Sequence, residues 1–212
     1  WWGWDSYQTS RAEKASVAYS RGLEALQANN LSGAETAFAE AEKSGNGAYK
    51  ALALMQRAGL AVAANKEAEA VTLFDQAAKA SGDDLLSDSA AYRAALLVMD
   101  TGSLDDVQKR LEPLVKEGRP LRPFAQQALA MAQLQNGKLP EARAGFVQLT
   151  LGQDVPDVIR QFAQSGIEVI DSGVAGNLAE IIKNQKALPA PTAPQGLPAG
   201  AVQMTPQAAP AQ

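Results

Sequence analysis

Apolar residues along the chain fall mostly at steps of three and four, and glycine or asparagine closes each run, the signature of amphipathic helices joined by tight turns. One run recurs. The segment from Asn29 to Ala41 returns from Asn65 to Ala77, and again, with substitutions, from Gly102 and from Gly137. In each copy a turn residue (Asn29, Asn65, Gly102, Gly137) precedes by five an alanine-type position (Ala34, Ala70, Val107, Ala142). A large apolar residue follows four later (Phe38, Phe74, Leu111, Phe146), and another apolar residue three after that (Ala41, Ala77, Leu114, Leu149). Steps of four and three place all three positions on one helical face. The copies are spaced 36 (70−34), 37 (107−70) and 35 (142−107) residues apart.

Ahead of each turn lies a second helical stretch, with a small residue twelve before the alanine-type position: Gly22, Ala58, Ala95 and Ala130. Each unit of about 35 residues therefore reads as helix, tight turn, helix, with small side chains where the two helices cross, and this resembles the tetratricopeptide pattern. It predicts an all-α solenoid of antiparallel helix pairs, with units near 14–46, 48–82, 87–118 and 122–154. The local chemistry points the same way. Ser32 with Glu35 predicts a capping box, Ser103 with Asp105 and Asp106 a cap and negative charge at a helix start, and Pro140 a first helical turn. Pro113 falls inside the second helix of the third unit and should kink or shorten it. From Pro156, apolar residues at Val158, Ile159, Phe162, Ile167 and Ile170 predict a further helix. Another is expected from about Val174 to Lys186, with Leu178, Ile181 and Ile182 as its apolar face. Together residues 156–186 would cap the exposed edge of the stack, which a solenoid needs for solubility.

The two ends differ from this body. Trp1, Trp2 and Trp4 are the chain's three tryptophans, and they precede the polar Asp5 and Ser6. Tryptophan concentrates at membrane interfaces, so residues 1–4 are expected to be a juxtamembrane segment following an upstream membrane anchor. Residues 187–212 carry no charge and hold six of the chain's eleven prolines, the composition of a disordered Pro/Ala/Gln tail.

Composition narrows the function. The 212 residues include no cysteine and no histidine, which removes thiolate and histidine acid/base chemistry, Cys/His zinc sites and disulfides. The chain carries 42 alanines, only 6% aromatic residues and a net charge of −4, with no basic cluster. This favours close-packed helices over sheets and gives no footprint for nucleic acid. No Walker loop, dinucleotide fingerprint or nucleophile motif occurs, and no metal or other cofactor is expected. Asp83-Asp84 and Asp105-Asp106 fall at a turn and a helix start, where acids stabilise free backbone donors better than they would hold a cation. The reading is a non-catalytic binding protein.

In a helix-pair solenoid the first helices of the pairs line the concave face. Counting back 15, 11 and 8 from the alanine-type positions selects Tyr19, Leu23 and Leu26, then Met55, Gly59 and Val62, then Tyr92, Leu96 and Met99, then Gln127, Met131 and Leu134. Apart from Gly59 and Gln127, these are the expected partner-binding residues. The set is apolar, holds three of the four methionines and contains no Lys or Arg. It suits varied apolar segments and argues against a clamp for a carboxylate terminus. The same spacing also fits helix–helix core, and that alternative stays open.

On the repeat positions above and the aromatic start, the chain resembles the tetratricopeptide-like domain of the YfgM type, an ancillary subunit family of the bacterial SecYEG translocon. The resemblance implies a single-pass inner-membrane protein with its soluble domain in the periplasm. It implies partners among translocon subunits, a periplasmic chaperone such as a prolyl isomerase, or translocated clients. The proline-rich tail departs from that family's pattern. The alternative is a soluble or lipid-anchored adaptor that organises an envelope complex without handling clients.

Overall fold

A computed structural model describes residues 2–177, with side chains from Arg11 onward. The described residues form nine α-helices and one 3-10 turn, with no strand. Four pairs follow one another: α1 (Trp2–Gln27) with α2 (Leu31–Ser44), α3 (Gly47–Ala63) with α4 (Glu67–Ala80), α5 (Asp84–Thr101) with α6 (Leu104–Leu111), and α7 (Arg122–Gln135) with α8 (Leu139–Leu151). Then come α9 (Asp157–Asp171) and the 3-10 turn at Val174–Asn177. Each first helix packs on its own second helix and on the first helix of the next pair, and each second helix packs on the first helix that follows it. The chain is an all-α solenoid of helix pairs.

The turns inside the units show how the repeat is written locally. Asn29 (φ 55°), Asn65 (φ 57°) and Gly137 (φ 71°) take the left-handed conformation, which asparagine and glycine enter most readily. At all three the next N–H reaches back five residues to a helix carbonyl: Asn30 to Ala25, Lys66 to Ala61, Lys138 to Gln133, each at 2.8 Å. These reach-back bonds satisfy carbonyls that the helix end leaves free. The third turn is built differently. Gly102 is extended (φ −96°) and Ser103 caps α6, its Oγ accepting from the Asp106 N–H at 3.2 Å and donating to the Asp106 carboxylate at 2.7 Å.

The predicted capping box at Ser32 and Glu35 does not form. Asn30 caps α2 instead, its Oδ1 accepting from the Gly33 N–H at 2.9 Å, because α2 starts one residue earlier than Ser32. Glu35 is thereby left to pair with Arg57 of α3 at 2.7 Å. Asp83 caps α5, accepting from the Leu86 N–H at 2.9 Å, and Asp105 pairs with Lys109 one turn on at 2.6 Å.

The core is a chain of local clusters, each bridging neighbouring helices, as the nearest-neighbour physics of solenoids requires. The alanine-type positions Ala34, Ala70 and Ala142 are fully buried, and so are Phe38, Leu111 and Phe146. Gly22 lies under the Phe38 ring so closely that a Cβ there would overlap it. Gly166 of α9 holds the same relation to Phe146, where a Cβ would come within 2.7 Å of the ring.

The third unit departs from its neighbours. α6 is only eight residues long, ends at Leu111 just before Pro113, and leaves residues 112–121 without regular helix. Arg119 anchors that stretch. Its Nε donates to Asp88 at 3.0 Å, a second nitrogen bonds the same carboxylate, and its Nη1 reaches Asp84 at 2.6 Å. Asp88 is the one fully buried charged residue among those described.

At the far end α9 buries Ile159 and Ala163 against α8 and is tethered by Arg143, which donates to both oxygens of Asp171 at 2.7 and 2.8 Å. Where a helix was expected to begin at Val174, the chain makes a 3-10 turn with Ala175 buried in the terminal cluster. Leu178, Ile181, Ile182 and the Pro/Ala/Gln tail lie outside the described residues.

Candidate polypeptide-binding face

The twelve register positions on α1, α3, α5 and α7 separate into three rows. The row fifteen before the alanine-type positions lies between helices. Tyr19 packs on Phe38 (centroids 5.4 Å apart) and Tyr49 (6.4 Å), and its hydroxyl accepts from Gln56 Nε2 at 3.0 Å, linking α1 to α3. Met55 rests against the Leu54/Phe74 cluster and Tyr92 against the Val107/Leu111 cluster. Burial pushes the Tyr92 hydroxyl above its ordinary pKa. Gln127 is half-buried.

The row eleven before is the open one. Leu23 is 36% exposed, Gly59 is exposed, Leu96 is 39% exposed and Met131 is half-buried beside the terminal cluster. Leu23 on α1 and Leu96 on α5 are the exposed leucines of this row and, with Val62 of α3 in the next row, mark an apolar stripe along the first helices. In the row eight before, exposure varies from unit to unit: Leu26 is half-buried, Val62 is 38% exposed, Met99 is half-buried, and Leu134 is 4% exposed. Leu134 therefore is not a surface residue. It fills the cluster with Phe146, Leu149 and Ile159, because α9 closes over that end of α7.

Phe124 belongs with this face, although the three-row register omits it. It lies eighteen before Ala142 (142−124), is 40% exposed, and stands on the same side of α7 as Gln127 and Met131, three and seven residues on. Extending the register by one helical turn would have reached it.

No group of three or more metal-ligating side chains occurs among the described residues. The acidic pairs are taken up by helix caps and by bonds to Lys109 and Arg119. A hydrogen bond from Ser103 holds the Asp106 carboxyl below its usual range. No described helix is long and apolar enough to cross a membrane. The face thus offers an apolar stripe with hydroxyl and amide groups beside it (Tyr19, Gln56, Tyr92, Gln127), which contacts side chains broadly and backbone amides by hydrogen bonding.

Residues 1–148 match the family model of a tetratricopeptide repeat-like domain, which covers the four helix pairs nearly to the end of α8. No curated protein and no solved structure matches the chain.

Proposed function

The chain belongs to the tetratricopeptide repeat-like domain family, a family of protein-interaction scaffolds, and from that premise we propose that it binds extended polypeptides along the first-helix face. The observation that carries this reading is the exposed stripe of Leu23, Leu96 and their register neighbours. Leu23 and Leu96, 36% and 39% exposed, stand at the same register position of α1 and α5, and Val62 of α3 is 38% exposed in the neighbouring row. A stripe of isolated, flexible apolar contacts selects for chain extension and hydrophobicity more than for one sequence.

Within this reading the protein works in the bacterial envelope, facing the periplasm beside the inner-membrane translocon. There it would receive translocated clients or dock a periplasmic chaperone, as the resemblance to the YfgM type suggests. A membrane tether preceding the tryptophans of α1 would hold the apolar face near the site where unfolded chains emerge. The test is suppression of aggregation of a reduced, alkylated protein at equimolar scaffold. Suppression supports client handling. A single stoichiometric partner with no suppression supports the adaptor alternative instead.

A further inference from the structure

The turn after α9 repeats a feature of the turns inside the helix pairs. Gly173 is left-handed (φ 79°), as Asn29, Asn65 and Gly137 are. Its N–H donates three residues back, to the Ile170 carbonyl at 3.1 Å, where Asn29 reaches Leu26 at 2.9 Å, Asn65 reaches Val62 at 2.9 Å and Gly137 reaches Leu134 at 3.0 Å. In those three pairs the turn reverses the chain and lays a second helix back on the first.

The position of the turn decides which face of the first helix the second one covers. In the second unit the residues four, seven and eleven before Asn65 are Ala61, Ala58 and Leu54, and they share a core cluster with Ala70 and Phe74, five and nine after it. The same offsets around Gly102 give Val98, Ala95 and Ala91, clustered with Val107 and Leu111. Around Gly173 they give Val169, Gly166 and Phe162 on α9, with Leu178 and Ile182 after the turn. Val169 and Phe162 are 38% and 39% exposed. An apolar face thus stands open where the second and third units carry a second helix.

The sequence that follows matches this face in pattern and in length. Leu178, Ile181 and Ile182 share one side of a helical projection, with Glu180, Lys183 and Asn184 off it, and Pro189 bounds the run. Nine helical residues, 178–186, would rise about 13.5 Å, enough to span the roughly 10.5 Å from Val169 to Phe162. We infer that residues 178–186 dock as a helix antiparallel to α9, with Leu178 and Ile182 against Val169 and Phe162. The occupant is the chain's own segment because the described residues end at Asn177, beside this face, and so short a tether holds the segment at an effective concentration in the millimolar range. The far end of the stack is thereby closed by the chain itself, on a surface separate from the leucine stripe.

The test is hydrogen exchange of the full chain read by mass spectrometry. Amides of residues 180–186 should exchange at least about tenfold more slowly than in a free peptide of the same sequence. Phe162→Ser combined with Val169→Ser should return them to the free-peptide rate while α1 to α8 keep their protection. Should α9 open as well, Leu178→Ser combined with Ile182→Ser, which alters no residue of α9, decides in its place and should have the same effect on 180–186. Free-peptide exchange in the unaltered chain, or protection that survives the deciding double variant, would overturn the inference. Protection that is lost on dilution would overturn it too, assigning the face to a second copy of the chain.

Discussion

The second and third units solve the same packing problem by different means. In the second, Asn65 makes a left-handed turn, α4 runs fourteen residues, and Phe74 closes an apolar cluster with Leu54, Ala58 and Ala90. In the third, the turn is extended, α6 stops after eight residues before Pro113, and the missing helix is replaced by a stretch pinned through Arg119 to buried Asp88. A regular repeat is held by apolar complementarity between neighbours. Where a proline interrupts it, a polar anchor carries the link to the next pair.

The largest expected effects test that contrast directly. Phe74→Ala should cost about 3–5 kcal/mol through lost burial and a residual cavity. Arg119→Ala should cost about as much, because it leaves Asp88 buried and uncompensated. Urea unfolding followed by CD measures both. Replacing Asp88 and Arg119 together by leucine should recover part of the Arg119→Ala loss, and a loss below about 1 kcal/mol for Arg119→Ala would break the comparison.

A smaller effect sharpens the role of the helix crossings. Gly22→Ala should destabilise by about 1–3 kcal/mol, because its Cβ would overlap the Phe38 ring. Gly59→Ala, in a helix with nothing within 4 Å of the added Cβ, should stabilise by about 0.5–1 kcal/mol. Thermal unfolding of the two variants should therefore move in opposite directions.

The smallest effect is electrostatic, at the terminal tether. The hydrogen bonds from Arg143 hold the Asp171 carboxyl below its usual range. A lowered folded-state value means the ionised carboxylate stabilises the fold above the unfolded-state value of about 4, and that contribution fades as pH falls through the lowered value. The Tm difference between the chain and Asp171→Asn should be present at pH 6 and vanish toward pH 2. The pair is half-exposed, so the difference should also shrink in high salt.

The fold was legible in the sequence because the repeat is written in small-residue positions whose burial is nearly complete: Ala34, Ala70, Ala142, and Gly22 at its crossing. Spacing alone locates them. Pro113 likewise announced the short α6. The cap at Asn30 was not legible, since Asn30 and Ser32 are both competent caps and the helix boundary decides between them. On the candidate face, period gave the helical side but not its covering. Leu134 and Val62 occupy equivalent positions, yet α9 buries one and leaves the other open. Arg119 was invisible to the register because its role depends on a nonrepeating segment meeting α5.

The central claim, that the leucine stripe is the binding face, is tested most directly by Leu23→Ser combined with Leu96→Ser. Fluorescence anisotropy with a labelled reduced, alkylated protein should show affinity reduced about tenfold or more, while helical CD and Tm stay close to those of the unaltered chain, as befits exposed positions. Unchanged affinity, or a fall in Tm that accounts for the lost binding, would contradict it.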